Sequence, residues 1–392
     1  MDRNILGRVR MAGCMAVLWL LPVMVSAQVM PGAMDTGSYF PLLRGKNVGV
    51  VANNASVAGS VNIVDLMLGH RLKVIRIFSP EHGFRLTGDA GQAMAGETDP
   101  ATGIPVVSLY GSRKKPVPAD LRSLDYMVFD LQDVGVRFYT YISTLSYVME
   151  ACAENHLPLI LLDRPNPNGF YIDGPVLEKE YASFVGMHPV PVVYGMTIGE
   201  YARMVNGEGW LRNRATCGLE VIRLKNYTHD TRCELPEKPS PNLPGINAVY
   251  LYPSLCFFEG TIVSVGRGTP FPFEVFGHPG MKSGTFSFTP GPIPGASLHP
   301  PLEGKLCHGT DLRGFLVNNP GKQGQIELSW LLQAFHELGT DPDFFSPYFN
   351  KLAGNATLQL QIRLGKSEKE IRDSWDPGLR KFKKIRKKYL LY

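Results

Sequence analysis

Five short apolar runs, separated by stretches of helical spacing, constrain this chain more than any other feature. They are NVGVVAN (47–53), KVIRIFS (73–79), IPVVSLY (104–110), DYMVFDL (125–131) and LPLILLD (157–163). Each is short, rich in β-branched residues and apolar on both faces. Strands read this way when helices cover both sides of a parallel sheet. Helices are expected at 62–69, after Pro118, and at 141–156, where Ile142, Leu145, Val148 and Met149 form one apolar stripe. The alternation predicts an α/β fold, a Rossmann-like, doubly wound, mostly parallel sheet.

The turn after the first run reads ANNASVAGS (52–60) and lacks the glycine pattern of a dinucleotide site, so Rossmann-like topology without a nucleotide is expected. A further helix is expected around 197–211. PEKPSPNLPG (236–245) then shifts the composition, and Gly and Pro punctuate short segments beyond it. We expect a catalytic domain over 38–235 and a smaller C-terminal α+β domain over 236–392, with a helix near 326–338. The basic cluster KFKKIRKK (381–388) reads as a solvated helix face.

Residues 1–27 combine Arg3, Arg8 and Arg10, the apolar run MAVLWLLPVMV and Val25-Ser26-Ala27, the pattern of a cleaved secretory leader. The run is too short to span a bilayer comfortably, so no stable membrane insertion is expected after cleavage. A periplasmic or secreted destination follows. Removing three Arg and one Asp lowers the net charge from +5 to +3, which gives no reason to expect a nucleic-acid partner. Five cysteines remain at irregular spacing, which is no disulfide framework; export makes one bridge possible, and proximity points to Cys217 with Cys233. No CxxC or HxxxH spacing suggests a structural metal, and no cofactor motif is present.

Polar residues gather after the runs, where such sheets hold ligands. FSPEHGFR (78–85) places Glu81 between Pro80 and Gly83, near Phe78 and Phe84. A carboxyl hemmed by apolar groups is harder to ionise, which suits a general acid, and His82 can titrate or orient it. FDLQDVGVRFYTY (129–141) supplies Asp130, Gln132, Asp133, Arg137 and Tyr139, a set suited to hydrogen-bonding and stacking on a sugar. A metal site from Asp130, Asp133 and His82 is a weaker alternative. DRPNPNG (163–169) presents Asp163, Arg164 and Asn166 on a stiff turn. In GMTIGE (195–200), Thr197 and Glu200 form a capping-box pattern, so Glu200 reads first as a cap. Glu259 and Arg267 either close a cleft or form a plain ion pair. No GxSxG elbow exists.

In this order EHGFR, FDLQDVGVRFYTY, DRPNPNG, FVGMHP, GMTIGE, PSPNLP, EGT, GRGT and FKKIRKKYLLY resemble the NamZ-like exo-β-N-acetylmuramidases, from about residue 40 to the C-terminus. The resemblance implies a Rossmann-like domain joined to a smaller one, and release of terminal N-acetylmuramic acid from the non-reducing ends of peptidoglycan fragments. It makes Glu81 the family's EHG glutamate, with His82, Asp130 and Asp133 as catalytic candidates. Arg85, Gln132, Arg137, Tyr139, Asp163, Arg164, Asn166, Glu200, Glu259 and Arg267 become substrate-binding candidates. The chain departs from the family pattern at Leu86, Gln92, Tyr194 and Ile262. Those at Gln92 and Tyr194 keep a non-catalytic binder of muropeptides in view, and a metal-dependent hydrolase is a third reading.

Overall fold

The computed structural model describes residues 28–85 and 97–392. The expected leader and the departures at Leu86 and Gln92 lie outside the described residues. In chain order the strands are β1 (Asn47–Ala52), β2 (Val57–Ala58), β3 (Val61–Asn62), β4 (Lys73–Ser79), β5 (Glu97–Thr98) and β6 (Pro105–Ser108). They continue with β7 (Tyr126–Asp130), β8 (Leu159–Leu162), β9 (Leu219–Ile222), β10 (Val275–His278), β11 (Phe286–Phe288) and β12 (Cys307–Asp311).

Seven of them form one sheet in the order β5-β6-β4-β1-β7-β8-β9. All pairings are parallel except β5 on β6. Counting the parallel strands along the chain, the order is 3-2-1-4-5-6, the doubly wound arrangement whose direction reverses between β1 and β7. The five apolar runs are strands, as expected. The sixth, β9, is four residues long with only Ile222 buried, and it gave no run to read.

Side-chain alternation divides the sheet between two cores. Val48, Val50 and Ala52 of β1 join Val128, Ile160 and Leu162 on one face, with the helix Ile63–Gly69 over them. Val51, Met127, Phe129, Leu159 and Leu161 point to the other face, against the helix Tyr141–Glu154. Ile142, Leu145, Val148 and Met149 of that helix are all buried. This second core runs without interruption into Phe257, Phe276, Trp330 and Phe349 of the C-terminal part. The smaller domain, with its antiparallel sheet β10-β12-β11, thus rests on the face of the large one.

The last helix, Glu368–Arg386, starts at a capping box of Ser367 and Glu370 and buries Ile371, Trp375, Leu379 and Phe382 along one stripe. Each such side chain contributes roughly 1.5–3 kcal/mol by burial. Lys381, Lys383, Lys384, Lys387 and Lys388 stay exposed, the solvated face expected of the basic cluster. Beyond it the chain folds back: Arg386 donates to the Gly195 carbonyl and Lys388 pairs with Glu208. No helix among the described residues is long and apolar enough to cross a membrane. The cysteine expectation needs correction. All five described cysteines are free thiols, and Cys217 lies against Cys152, because the backbone between them is tied through Leu157 and Leu159, while Cys233 lies elsewhere.

Candidate active site

The loop after β4 makes an abrupt turn. His82 and Gly83 both adopt left-handed backbone angles, φ 70° and 79°, and the Gly83 amide returns to the Pro80 carbonyl at 3.2 Å. A histidine in that region is uncommon and strained, whereas glycine adopts it freely. The turn leaves the Glu81 side chain half-buried and tucks His82 inward, 3.5 Å from the Ser240 hydroxyl. Glu81 Oε2 accepts a hydrogen bond from Thr140 Oγ1 at 3.3 Å, and the Tyr110 hydroxyl also bonds this carboxylate. Burial first, and then the Glu81 charge, push the Tyr110 phenol well above its ordinary pKa.

Glu81 opens into a cleft of about 60 Å³ shared with His82, Tyr139, Thr140, Tyr141, Asn242, Tyr252 and Arg267. Its far wall comes from the C-terminal part. The segment over Pro239 is held down by both tyrosine hydroxyls, Tyr139 at 2.6 Å and Tyr141 at 3.2 Å, which donate to the Pro239 carbonyl. The two rings meet edge to face at 4.6 Å. Arg267 crosses the wall, donating from Nε to Glu259 Oε1 at 2.6 Å, with its guanidinium over the Phe273 ring. Burial alone would lower the Arg267 pKa, but the adjacent Glu259 carboxylate outweighs it and the guanidinium stays charged. The Glu259 charge also bears on Tyr110 and Tyr348, the same two phenols on which Glu81 acts.

The other sequence candidates sit in different surroundings. Asp130 is fully buried in a bidentate pair with Arg164, Nε at 2.6 Å and Nη2 at 2.8 Å. Ser56 donates to the Asp130 carbonyl and Arg164 to the Val57 carbonyl, so this network fills the crevice between β1 and β7 where the strand order reverses. Asp133 accepts from the Gly135 amide and the Tyr194 hydroxyl, and burial pushes its pKa up to about 6. Tyr194, one of the departures, thereby serves as a donor to a buried carboxylate. Ile262 lies on the chain's path beside Phe344, its amide donating to that carbonyl.

Arg137 is fully buried and donates to the carbonyls of Pro175, Val190, Leu352 and Ala353 at 2.8–2.9 Å, clamping the two parts of the chain together. Burial lowers its pKa to about 9. Arg85 forms a bidentate pair with Asp99 at 3.1 Å and reaches Asp65 at 3.5 Å. Asp163 takes hydrogen bonds from the Arg164 and Gly199 amides and from the Thr197 and Tyr392 hydroxyls; burial nevertheless pushes it up to about 7. Asn166 spans the Met196 carbonyl and the Asn168 amide. Glu200 closes the capping box with Thr197 and also holds His229 and the Leu391 amide.

The fold thus brings Glu81, His82, Tyr139, Glu259 and Arg267 to one place. Tyr110, Thr140, Asn242, Tyr252 and Tyr348 belong with them and were not read from sequence. Three of them carried a signal: Tyr110 ends the third apolar run at the same rim, and Thr140 and Asn242 lie inside the FDLQDVGVRFYTY and PSPNLP motifs. Among the described residues no group of three His, Cys, Asp or Glu side chains is placed to hold a metal.

Two family models match the chain: exo-β-N-acetylmuramidase NamZ, N-terminal, over residues 48–247, and exo-β-N-acetylmuramidase NamZ, C-terminal, over 250–392. The peptidoglycan β-N-acetylmuramidase NamZ of Bacillus subtilis is 40% identical over 375 residues, covering 90% of this chain and 89% of that protein. A crystal structure of a DUF1343 family protein from Bacteroides fragilis superposes with a TM-score of 0.86 at 45% identity, over 93% of this chain and 99% of that one. A second DUF1343 structure from the same organism gives 0.80 at 26% identity, with the same coverage. By these matches the chain belongs to the NamZ family of exo-β-N-acetylmuramidases and is a glycoside hydrolase.

Proposed function

We propose that the chain is an exported exo-acting peptidoglycan glycosidase that removes terminal N-acetylmuramic acid from the non-reducing end, with Glu81 as its general acid. The observation that carries this reading is the left-handed turn at His82 and Gly83, which presents Glu81 to a cleft whose opposite wall holds the charged Arg267. Glu81 donates its proton to the glycosidic oxygen as the bond to the anomeric carbon breaks. Thr140 and Tyr110 hold the carboxyl in position meanwhile. Glu259 is our second carboxylate, serving the anomeric carbon or a water, because Asp130 and Asp133 are buried, 0% and 3% exposed, whereas the Glu259 side chain keeps 23% of its surface exposed beside Arg267. Arg267 suits the lactyl carboxylate that distinguishes a muramic from a glucosamine residue. Tyr139 and Tyr141 hold the segment that roofs the cleft.

The test is product analysis on a defined muramic acid–glucosamine disaccharide. Wild type should release free N-acetylmuramic acid, and Glu81→Gln should lose roughly 10²–10⁴-fold in turnover, the range for a general acid. Unchanged turnover in that variant sinks the assignment. Export rests on the leader pattern over 1–27; a mature N-terminus at Gln28 is the expected result of sequencing the protein isolated from cells.

A further inference from the structure

A second cavity, of about 510 Å³, opens on the same rim of the sheet, apart from the cleft at Glu81. Its floor is Arg164 and Gln132, each only 2% exposed. Arg164 engages Asp130 and Val57 through Nε and Nη2, and its Nη1 has no hydrogen bond among the described residues. Gln132 donates from Nε2 to the Asp133 and Pro165 carbonyls, both at 2.8 Å, and its Oε1 has none either. Two deeply buried side chains therefore keep one donor group and one acceptor for the cavity they line. Neither atom is among the buried side-chain atoms without a partner, so both stay accessible from the cavity, where an occupant can meet them.

The chemistry of the floor is specific. The bidentate Asp130 carboxylate neutralises Arg164, and Arg232 and Glu234 on the walls are of opposite sign, so the lining carries no net charge and does not call for an anion. A donor and an acceptor lining one cavity can meet the carbonyl and N–H of an amide. The walls include Val29, Met34, Val57 and Leu235, apolar enough to receive a methyl group. We propose that this cavity is a second saccharide site that binds the acetamido group of an N-acetylamino sugar: the carbonyl on Arg164 Nη1, the N–H on Gln132 Oε1, and the methyl against the apolar wall. At about 510 Å³ the size fits a ligand site, for which roughly 300–1,000 Å³ is usual. The site does not depend on the chemistry at Glu81. It would hold a neighbouring sugar or a second glycan end while the cleft works.

The test is saturation-transfer NMR on the full chain with methyl N-acetyl-β-glucosaminide, read at the acetyl methyl, against methyl β-glucoside. Transfer is expected from the first and not from the second. Met34→Trp places a bulky ring in the cavity from a residue that is 45% exposed, so the fold is retained. It should weaken binding at least tenfold, and Gln132→Leu should do the same by removing the acceptor. Thermal melts of both variants separate lost binding from lost fold. Acetyl transfer that persists undiminished in Met34→Trp puts all binding in the cleft and overturns the proposal. Equal transfer from the glucoside, or none from the glucosaminide to wild type, overturns it too.

Discussion

The cleft at Glu81 and the knot around Asp163 use the same residue types in opposite ways. In the cleft, Glu81 is half-buried, held by a 3.3 Å hydrogen bond and a tyrosine, and open to solvent on one side. In the knot, Asp163 takes four hydrogen bonds and Glu200 three, with no exposure. The chain's own last residues complete that knot: Leu391 donates to Glu200, while Tyr392 donates to Asp163 and accepts from the Leu224 amide. A carboxylate buried out of reach cannot pass a proton to a ligand. One that faces a cleft can. Motif residues therefore divide into those that do chemistry and those that hold the rim still, and exposure to the cleft separates them better than residue type.

The sharpest way to break this division is to remove Asp130. Asp130→Ala leaves the buried Arg164 guanidinium without its counter-charge, a change that costs about 3–5 kcal/mol. Denaturant unfolding should show that loss, whereas Glu81→Gln should leave stability within about 0.5 kcal/mol while lowering turnover roughly 10²–10⁴-fold. If Asp130→Ala melts like wild type, the ion pair at the rim is not structural and the contrast fails.

A smaller effect sharpens the cleft side. Arg267→Ala removes the cation assigned to the lactyl carboxylate, and hydrogen bonds to charged groups contribute about 1.5–3 kcal/mol. The preference for a muramide over the matching glucosaminide, measured as a ratio of kcat/KM, should fall by roughly 10–100-fold. A ratio that stays constant as both rates fall would assign Arg267 to holding Glu259 alone.

Much of this arrangement was legible before any coordinates. Strands β1, β4, β6, β7 and β8 were readable because both of their faces are apolar, and the capping box at Thr197 because it is local. The strand β9 was not, since a short strand at the end of the sheet has little apolar surface to advertise. The cleft was legible only in pieces. Glu81, Tyr110, Thr140, Ser240 and Arg267 come from five separate segments, and nothing local in sequence encodes that long-range meeting. Arg137 teaches the same lesson from the other side. Its position in a polar motif suggested a ligand contact, yet four carbonyls surround it, and a guanidinium in sequence does not say whether a carbonyl or a carboxylate will face it.

The smallest effect tests whether the C-terminal end belongs to the scaffold alone. Tyr392→Phe keeps the ring against Tyr227, whose centroid lies 5.3 Å away, and removes only the hydroxyl. Asp163 then loses one donor of four and the Leu224 amide loses its acceptor, a combined cost of about 1–3 kcal/mol. The thermal midpoint should drop by a few degrees. Turnover per folded molecule should not change, because Asp163 remains locked by Thr197, Gly199 and Arg164. Burial already favours the protonated form of Asp163, so the native state binds a proton more tightly than the unfolded chain, and this group's contribution to stability declines as pH rises from about 4 towards about 7. Removing a hydrogen bond to the carboxylate favours the protonated form further. The deficit of Tyr392→Phe should therefore be larger at pH 8 than at pH 5. A deficit independent of pH would mean that the Leu224 amide, not Asp163, is what the hydroxyl serves.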